Sequence, residues 1–150
     1  MPQSFRFLPA AAFAFFAATA AHAADLVVEV NGVEHAKGEI LVAVYGLGDT
    51  WLRKPRAGQA VIATAGTTRV VFRDLPEGDY AAAVFQDLDG DRRLARNSYG
   101  MPLEPWGFTN DAAAPYGPPE FDAARVTLTA SGMTTAVRLR ALPPEPVAIR

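Results

Sequence analysis

The chain has 150 residues, one domain's worth, and its 14 Lys plus Arg against 16 Asp plus Glu leave a formal net charge of -2. That balance gives no electrostatic ground for a nucleic acid or an acidic membrane surface as partner, and 50% hydrophobic content excludes a disordered chain. With no cysteine, a disulfide framework, a thiolate zinc site, a thiol nucleophile and a lipid-modified N-terminal Cys are all excluded.

The first element is an address. Met1 to Arg6 supplies a basic start, Phe7 to Ala21 is uncharged, and small residues flank the end at Ala21-His22-Ala23. This order predicts a secretory signal peptide over residues 1–23, cut between Ala23 and Ala24. As a membrane anchor the uncharged run is too short for a ~30 Å hydrocarbon layer, contains Pro9 and lacks a basic flank on its C-terminal side. The mature chain has no second run of spanning length, so no membrane span is expected in it. Neither Asn31, Asn97 nor Asn110 opens a glycosylation sequon. The address reads as bacterial, periplasmic or secreted.

Strands follow. Leu26, Val28 and Val30 alternate with their neighbours, and after a turn expected at Asn31-Gly32 the run Glu39 to Tyr45 alternates again. Ala60 to Ala65 and Thr68 to Arg73 read as two strands joined at Ala65-Gly66-Thr67 into a hairpin. Tyr80 to Asp87 is the next strand, and Arg125–Ala130 and Ala136–Leu142 are joined at Ser131-Gly132. No window after residue 23 sustains a 3.6-residue period. About seven short strands over residues 24–142 predict an all-β, antiparallel β-sandwich with a long Pro/Gly/aromatic loop. Residues 143–150, rich in proline, read as a C-terminal tail outside the sheets.

One segment carries a more specific signal. Phe72-Arg73-Asp74-Leu75-Pro76-Glu77-Gly78-Asp79-Tyr80 is a strand, a Pro-x-Gly turn and a strand opening on a Tyr whose hydroxyl can reach back to the turn. It resembles the corner of transthyretin-like and carboxypeptidase-regulatory-like sandwiches, which implies an Ig-like arrangement and no activity.

Chemistry is confined to the stretch between Asp87 and Phe121. Asp87, Asp89 and Asp91 alternate in a Gly-containing loop, and oxygen ligands on every second residue suit a hard cation such as Ca²⁺, the one cofactor this chain suggests. Measured against an EF-hand-type loop, the sixth position is Arg92 rather than Gly, the ninth is Ala95 and the twelfth is Ser98. Arg92, Arg93 and Arg96 offer the competing arrangement, a loop in which Asp and Arg side chains neutralise one another. Downstream, Tyr99, Trp106 and Tyr116 sit in a span too rich in Pro and Gly for a helix or a central strand. They form either an aromatic platform for an unknown protein or glycan ligand, or a lid over one end of the core.

Asp-x-Asp-Gly-Asp at 87–91, then Tyr-Gly-x-Pro-x-Glu-x-x-Gly-Phe-x-Asn at 99–110, then Gly-Pro-Pro-x-Phe-x-x-Ala at 117–124, resembles a bacterial secreted family known as domain of unknown function 2141. The resemblance spans about Leu26 to Leu142 and implies export and a sandwich fold, with no activity attached. The family pattern has Gly at the position of Arg92 and Asp at that of Ala95, so the resemblance implies a cation loop degraded in this chain.

Subtraction narrows the function. His35 is the only imidazole of the expected mature chain and sits in a polar turn, so a Ser-His-Asp triad or a His-ligated metal would rest on it alone. No Gly-rich phosphate loop precedes a helix. The expectation is a noncatalytic exported module that binds or supports. Its alternative is a small hydrolase of envelope polysaccharide using Glu104 with one of the loop Asp residues.

Overall fold

The computed structural model describes residues 23–140. The expected signal peptide, apart from Ala23, and the expected tail at 143–150 lie outside the described residues. Eight strands run β1 (Ala23–Val33), β2 (Glu39–Gly46), β3 (Ala57–Ile62), β4 (Gly66–Pro76), β5 (Gly78–Asp87), β6 (Trp106–Phe108), β7 (Val126–Leu128) and β8 (Met133–Arg138). A 3-10 turn at Thr109–Asp111 and a four-residue helix, α1 (Phe121–Ala124), complete the described elements.

The strands make two sheets, β4-β1-β8 and β3-β2-β5-β6, with β7 pairing the same edge of β5 as β6. This is the all-β sandwich that alternation predicts. Its pairings are antiparallel except one: β1 and β8 run parallel, from Leu26 opposite Met133 to Asn31 opposite Arg138. Leu26, Val28 and Val30 of β1, Ile40, Val42 and Val44 of β2, Val70 and Phe72 of β4, and Tyr80, Ala82 and Val84 of β5 share one core between the sheets. Fully burying such an aliphatic side chain contributes about 1.5–3 kcal/mol, so the period of two that made these strands legible is also what holds them face to face.

Two local expectations resolve differently. At Asn31-Gly32 the chain does not turn: β1 continues to Val33 through a bulge, its register slipping between Asn31 and Val33, and the reversal comes afterwards. β3 and β4 are not a hairpin. β3 pairs β2 and β4 pairs β1, so the short link between them crosses from one sheet to the other. Thr68 holds that crossing, its hydroxyl accepting from Thr64 N–H (3.1 Å) and donating to Thr64 C=O (3.2 Å). β7 and β8 are joined at Ser131-Gly132 as expected, and that turn also passes from one sheet to the other.

The corner at Tyr80 forms as its sequence predicts. The ring is 3% exposed and the hydroxyl donates to Pro76 C=O at 2.7 Å. Burial raises the hydroxyl's pKa above its ordinary value, so it remains a donor. The sheets meet again at β8's end, where Leu139 N–H donates to Asn31 C=O (2.8 Å) and Arg140 N–H to Trp106 C=O (2.8 Å). Between them sits Gly107, where a Cβ would stand 2.5 Å from Arg138 C=O. Only glycine lets β6 approach β8 this closely.

Candidate functional site

Between β5 and β7 the chain adds β6 to the edge of the larger sheet and sends loops against its outer face, beginning with the acidic loop. Asp87 is fully buried, and its carboxylate accepts from Gly90 N–H (2.7 Å) and Arg92 N–H (2.9 Å). Burial alone would raise its pKa. The backbone donors of Arg92 and Gly90, with Asp89, outweigh that and hold it below the ordinary 3.8. Asp89 accepts from Asp91 N–H (3.1 Å) and Asp91 from Arg93 N–H (2.7 Å). One carboxylate oxygen from each of the three lies within 4.8 Å of the others, so Asp87, Asp89 and Asp91 are the described residues placed to share a cation.

The competing arrangement, Asp neutralised by Arg, does not form. Among the described residues these three carboxylates make no ion pair, and Arg92 reaches instead to Glu39 (3.6 Å). The loop is held by its own backbone N–H groups, because Asp side chains close short turns more cheaply than they order long Arg side chains. Arg92 nonetheless occupies the sharp-turn position with φ +59°, a conformation that costs a non-glycine residue about 1–2 kcal/mol.

Glu104 is the second buried carboxylate, 3% exposed. Its Oε1 accepts from Leu88 N–H (2.8 Å) and its Oε2 from Ala95 N–H (2.9 Å), so it clamps both ends of the acidic loop. Beyond Ala95 the chain makes a tight excursion. Asn97 accepts from Tyr99 N–H (2.9 Å) and Met101 N–H (3.0 Å), and Leu103 N–H returns to Ala95 C=O (2.8 Å). That excursion lifts Tyr99 into solvent, 90% exposed.

On the outer face, Ala81 and Ala83 of β5 leave room for rings. Trp51, from the turn after β2, is the hub: it meets Tyr45 edge-on at 4.9 Å, Phe121 at 5.7 Å and Phe108 at 5.8 Å, and its indole N–H donates to Pro119 C=O (2.8 Å). Asp49 fixes the turn that presents it, accepting from Gly46 N–H (2.7 Å) and Arg56 (3.1 Å), contacts that hold the Asp49 carboxyl below its usual range. Buried Thr109 accepts from Ala82 N–H (3.1 Å) and donates to Ala124 C=O, tying the 3-10 turn to both β5 and α1. Asn110 donates to Arg125 C=O (2.8 Å). The residues of the two downstream motifs are therefore mostly joints that fasten this segment to the sheet.

What they enclose is a groove of about 1140 Å³. Its floor is the outer face of β2 and β5, at Leu41, Ala43, Ala83 and Phe85; its rims are Tyr99–Pro102 and Ala114–Pro118. Tyr99, Trp106 and Tyr116 all line it. They are not one stack. Trp106 is half-buried, edge-on to Phe108 at 5.6 Å with the Arg140 guanidinium 5.1 Å from its ring centre, whereas Tyr116 is 95% exposed. Trp106, Phe108 and Phe121 cover the outer face of the larger sheet, while Tyr99 and Tyr116 stand free at the rims.

Sequence reading missed Trp51 and the clamp role of Glu104. The available signal for Trp51 was a large ring in a Gly-rich turn directly after a strand; for Glu104 it was a lone acid between prolines, with no solvent-facing pattern around it.

Among the described residues no helix is long and apolar enough to cross a membrane. A family model described as "Uncharacterized protein conserved in bacteria (DUF2141)" matches residues 28–136, most of the described chain. No curated protein and no solved structure matches significantly.

Proposed function

Because the chain belongs to this bacterial family, we propose that it is an exported, noncatalytic β-sandwich module of the transthyretin-like type, acting in the periplasm or outside the cell and holding an envelope ligand against the outer face of its larger sheet. The observation that carries this reading is the groove, with two tyrosines left in solvent at its rims. Free aromatic rings beside an apolar floor are contact surface that folding has not used. The hydrolase alternative draws no support from the carboxylates: Asp87 and Glu104 are buried and each already accepts two backbone N–H groups. A general acid or base has to face the substrate. The Asp87, Asp89 and Asp91 loop enters the reading as a weak Ca²⁺ site that would brace the groove's neighbour, with affinity on the order of 0.1–1 mM.

The test is capture from an envelope extract by the wild type and by a Tyr99→Ala/Tyr116→Ala double variant, the eluates analysed for protein, glycan and lipid. Both side chains are exposed, so the two proteins melt within a few degrees of each other. Material held by the wild type and lost by the variant is the expected result. Equal retention, or none by either, overturns the proposal.

A further inference from the structure

The lining of the groove is chemically one-sided. Among the described residues Arg92, Arg96 and Arg140 are its only charged side chains, in a chain whose formal net charge is -2, and the described lining contains no Asp, Glu, Asn, Ser or Thr. Arg92 is engaged by Glu39 at 3.6 Å. Arg96 and Arg140 have no carboxylate partner among the described residues. Their guanidinium groups are only partly used: Arg96 donates through Nη1 to Gly100 C=O (2.9 Å), and Arg140 through Nη2 to Asp111 C=O (3.0 Å) and Ala112 C=O (3.3 Å). The nearby Asp111 carboxylate is turned away, accepting from Arg138 N–H (2.9 Å). Each guanidinium carries five N–H donors, so both retain donors for an anion.

The floor of the groove offers no side-chain hydrogen bonds. Its side chains are Leu41, Ala43, Ala83 and Phe85, and the backbone beneath is consumed: β2 pairs β3 and β5, and β5 pairs β2 and β6. Gln59, the one side-chain amide at the edge, donates to Val71 C=O (2.7 Å). A peptide laid along this floor would bury backbone N–H and C=O groups without partners, and a sugar would bury hydroxyls. Either loss costs more than the contact returns. A hydrocarbon chain asks for nothing but apolar area.

We infer that the groove binds a free anionic amphiphile: a hydrocarbon chain lying over Leu41, Ala43, Ala83 and Phe85, with an acid head at the Arg96 and Arg140 guanidinium groups. This rests on the groove being a binding site and assigns its ligand class. The apolar floor supplies affinity, and charge-assisted bonds to the two arginines select the head.

The test titrates the full exported chain with monomeric dodecanoate and with dodecyltrimethylammonium, which share a tail and differ in head charge, following tryptophan fluorescence because Trp106 lines the groove. The expected result is saturable binding of dodecanoate, roughly tenfold or more tighter than the cation, with the exposed Arg96→Gln weakening dodecanoate roughly tenfold and leaving the cation unchanged. Equal binding of the two heads, or no effect of Arg96→Gln, overturns the acid-head assignment. Tighter binding of an alternating glutamate-leucine hexapeptide, or of phosphatidylglycerol vesicles, overturns the free amphiphile in favour of a protein segment or a membrane surface. If dodecanoate fails while envelope capture still depends on Tyr99 and Tyr116, the ligand class is wrong and the binding module stands; if both fail, both readings fall.

Discussion

Asp87 and Glu104 are buried carboxylates whose oxygens accept backbone N–H groups of the loop they border, so both hold that loop's shape. Asp89 and Asp91 are exposed and remain able to turn oxygens toward a cation beside Asp87. An ion that binds only the folded loop adds stability as RT ln(1 + [L]/Kd), about 1.4 kcal/mol at ten times Kd. Melting in ~5 mM Ca²⁺ is therefore expected to lie above melting in chelator, with no gain in ionic-strength-matched NaCl and none for Asp89→Ala. Coincident curves in chelator and calcium would remove the ion from the account. The three flanking arginines, read from sequence as the loop's own counter-charges, do not pair with it; alternating acids beside basic residues look the same in sequence whether they meet or diverge.

At the scale of elements, the joint that matters most is β6 against β8. Gly107→Ala places a methyl group 2.5 Å from Arg138 C=O and 2.8 Å from Val137 Cγ1, with backbone on one side and a packed β-branched side chain on the other. Overpacking of this kind costs about 1–3 kcal/mol, so a clear fall in melting temperature is expected; a variant that melts like wild type would mean that β6 does not dock there. The strands with inward Val, Leu and Ile at every second position were legible because burial on one face writes that alternation. β6 was not, since three residues flanked by Pro105 and a 3-10 turn carry no period, and they become a strand because β5 leaves an edge beside them. The β3 to β4 link was misread for a related reason. A short Gly-containing connection is compatible with a hairpin or a crossing, and the choice belongs to β1, which pairs β4 from Ala23 to Val33.

In the whole molecule, one side of the larger sheet closes the core and the other carries the segment from β5 to β7, most of whose side chains fasten it in place. The sandwich was readable from local pattern; the groove was not, because its floor on β2 and β5 and its rims at Tyr99–Pro102 and Ala114–Pro118 are brought together only by the fold. On the proposed function this face, and not the outer face of the smaller sheet, meets the ligand. A benzophenone amino acid in place of exposed Tyr116, or in place of exposed Thr134 on the smaller sheet, inserts into C–H bonds of whatever lies against it. Irradiation of cells exporting each variant, followed by intact-mass analysis of the purified protein, reads the answer directly. A discrete mass adduct at Tyr116 and none at Thr134 is the predicted result; an adduct at Thr134 with none at Tyr116 would contradict it.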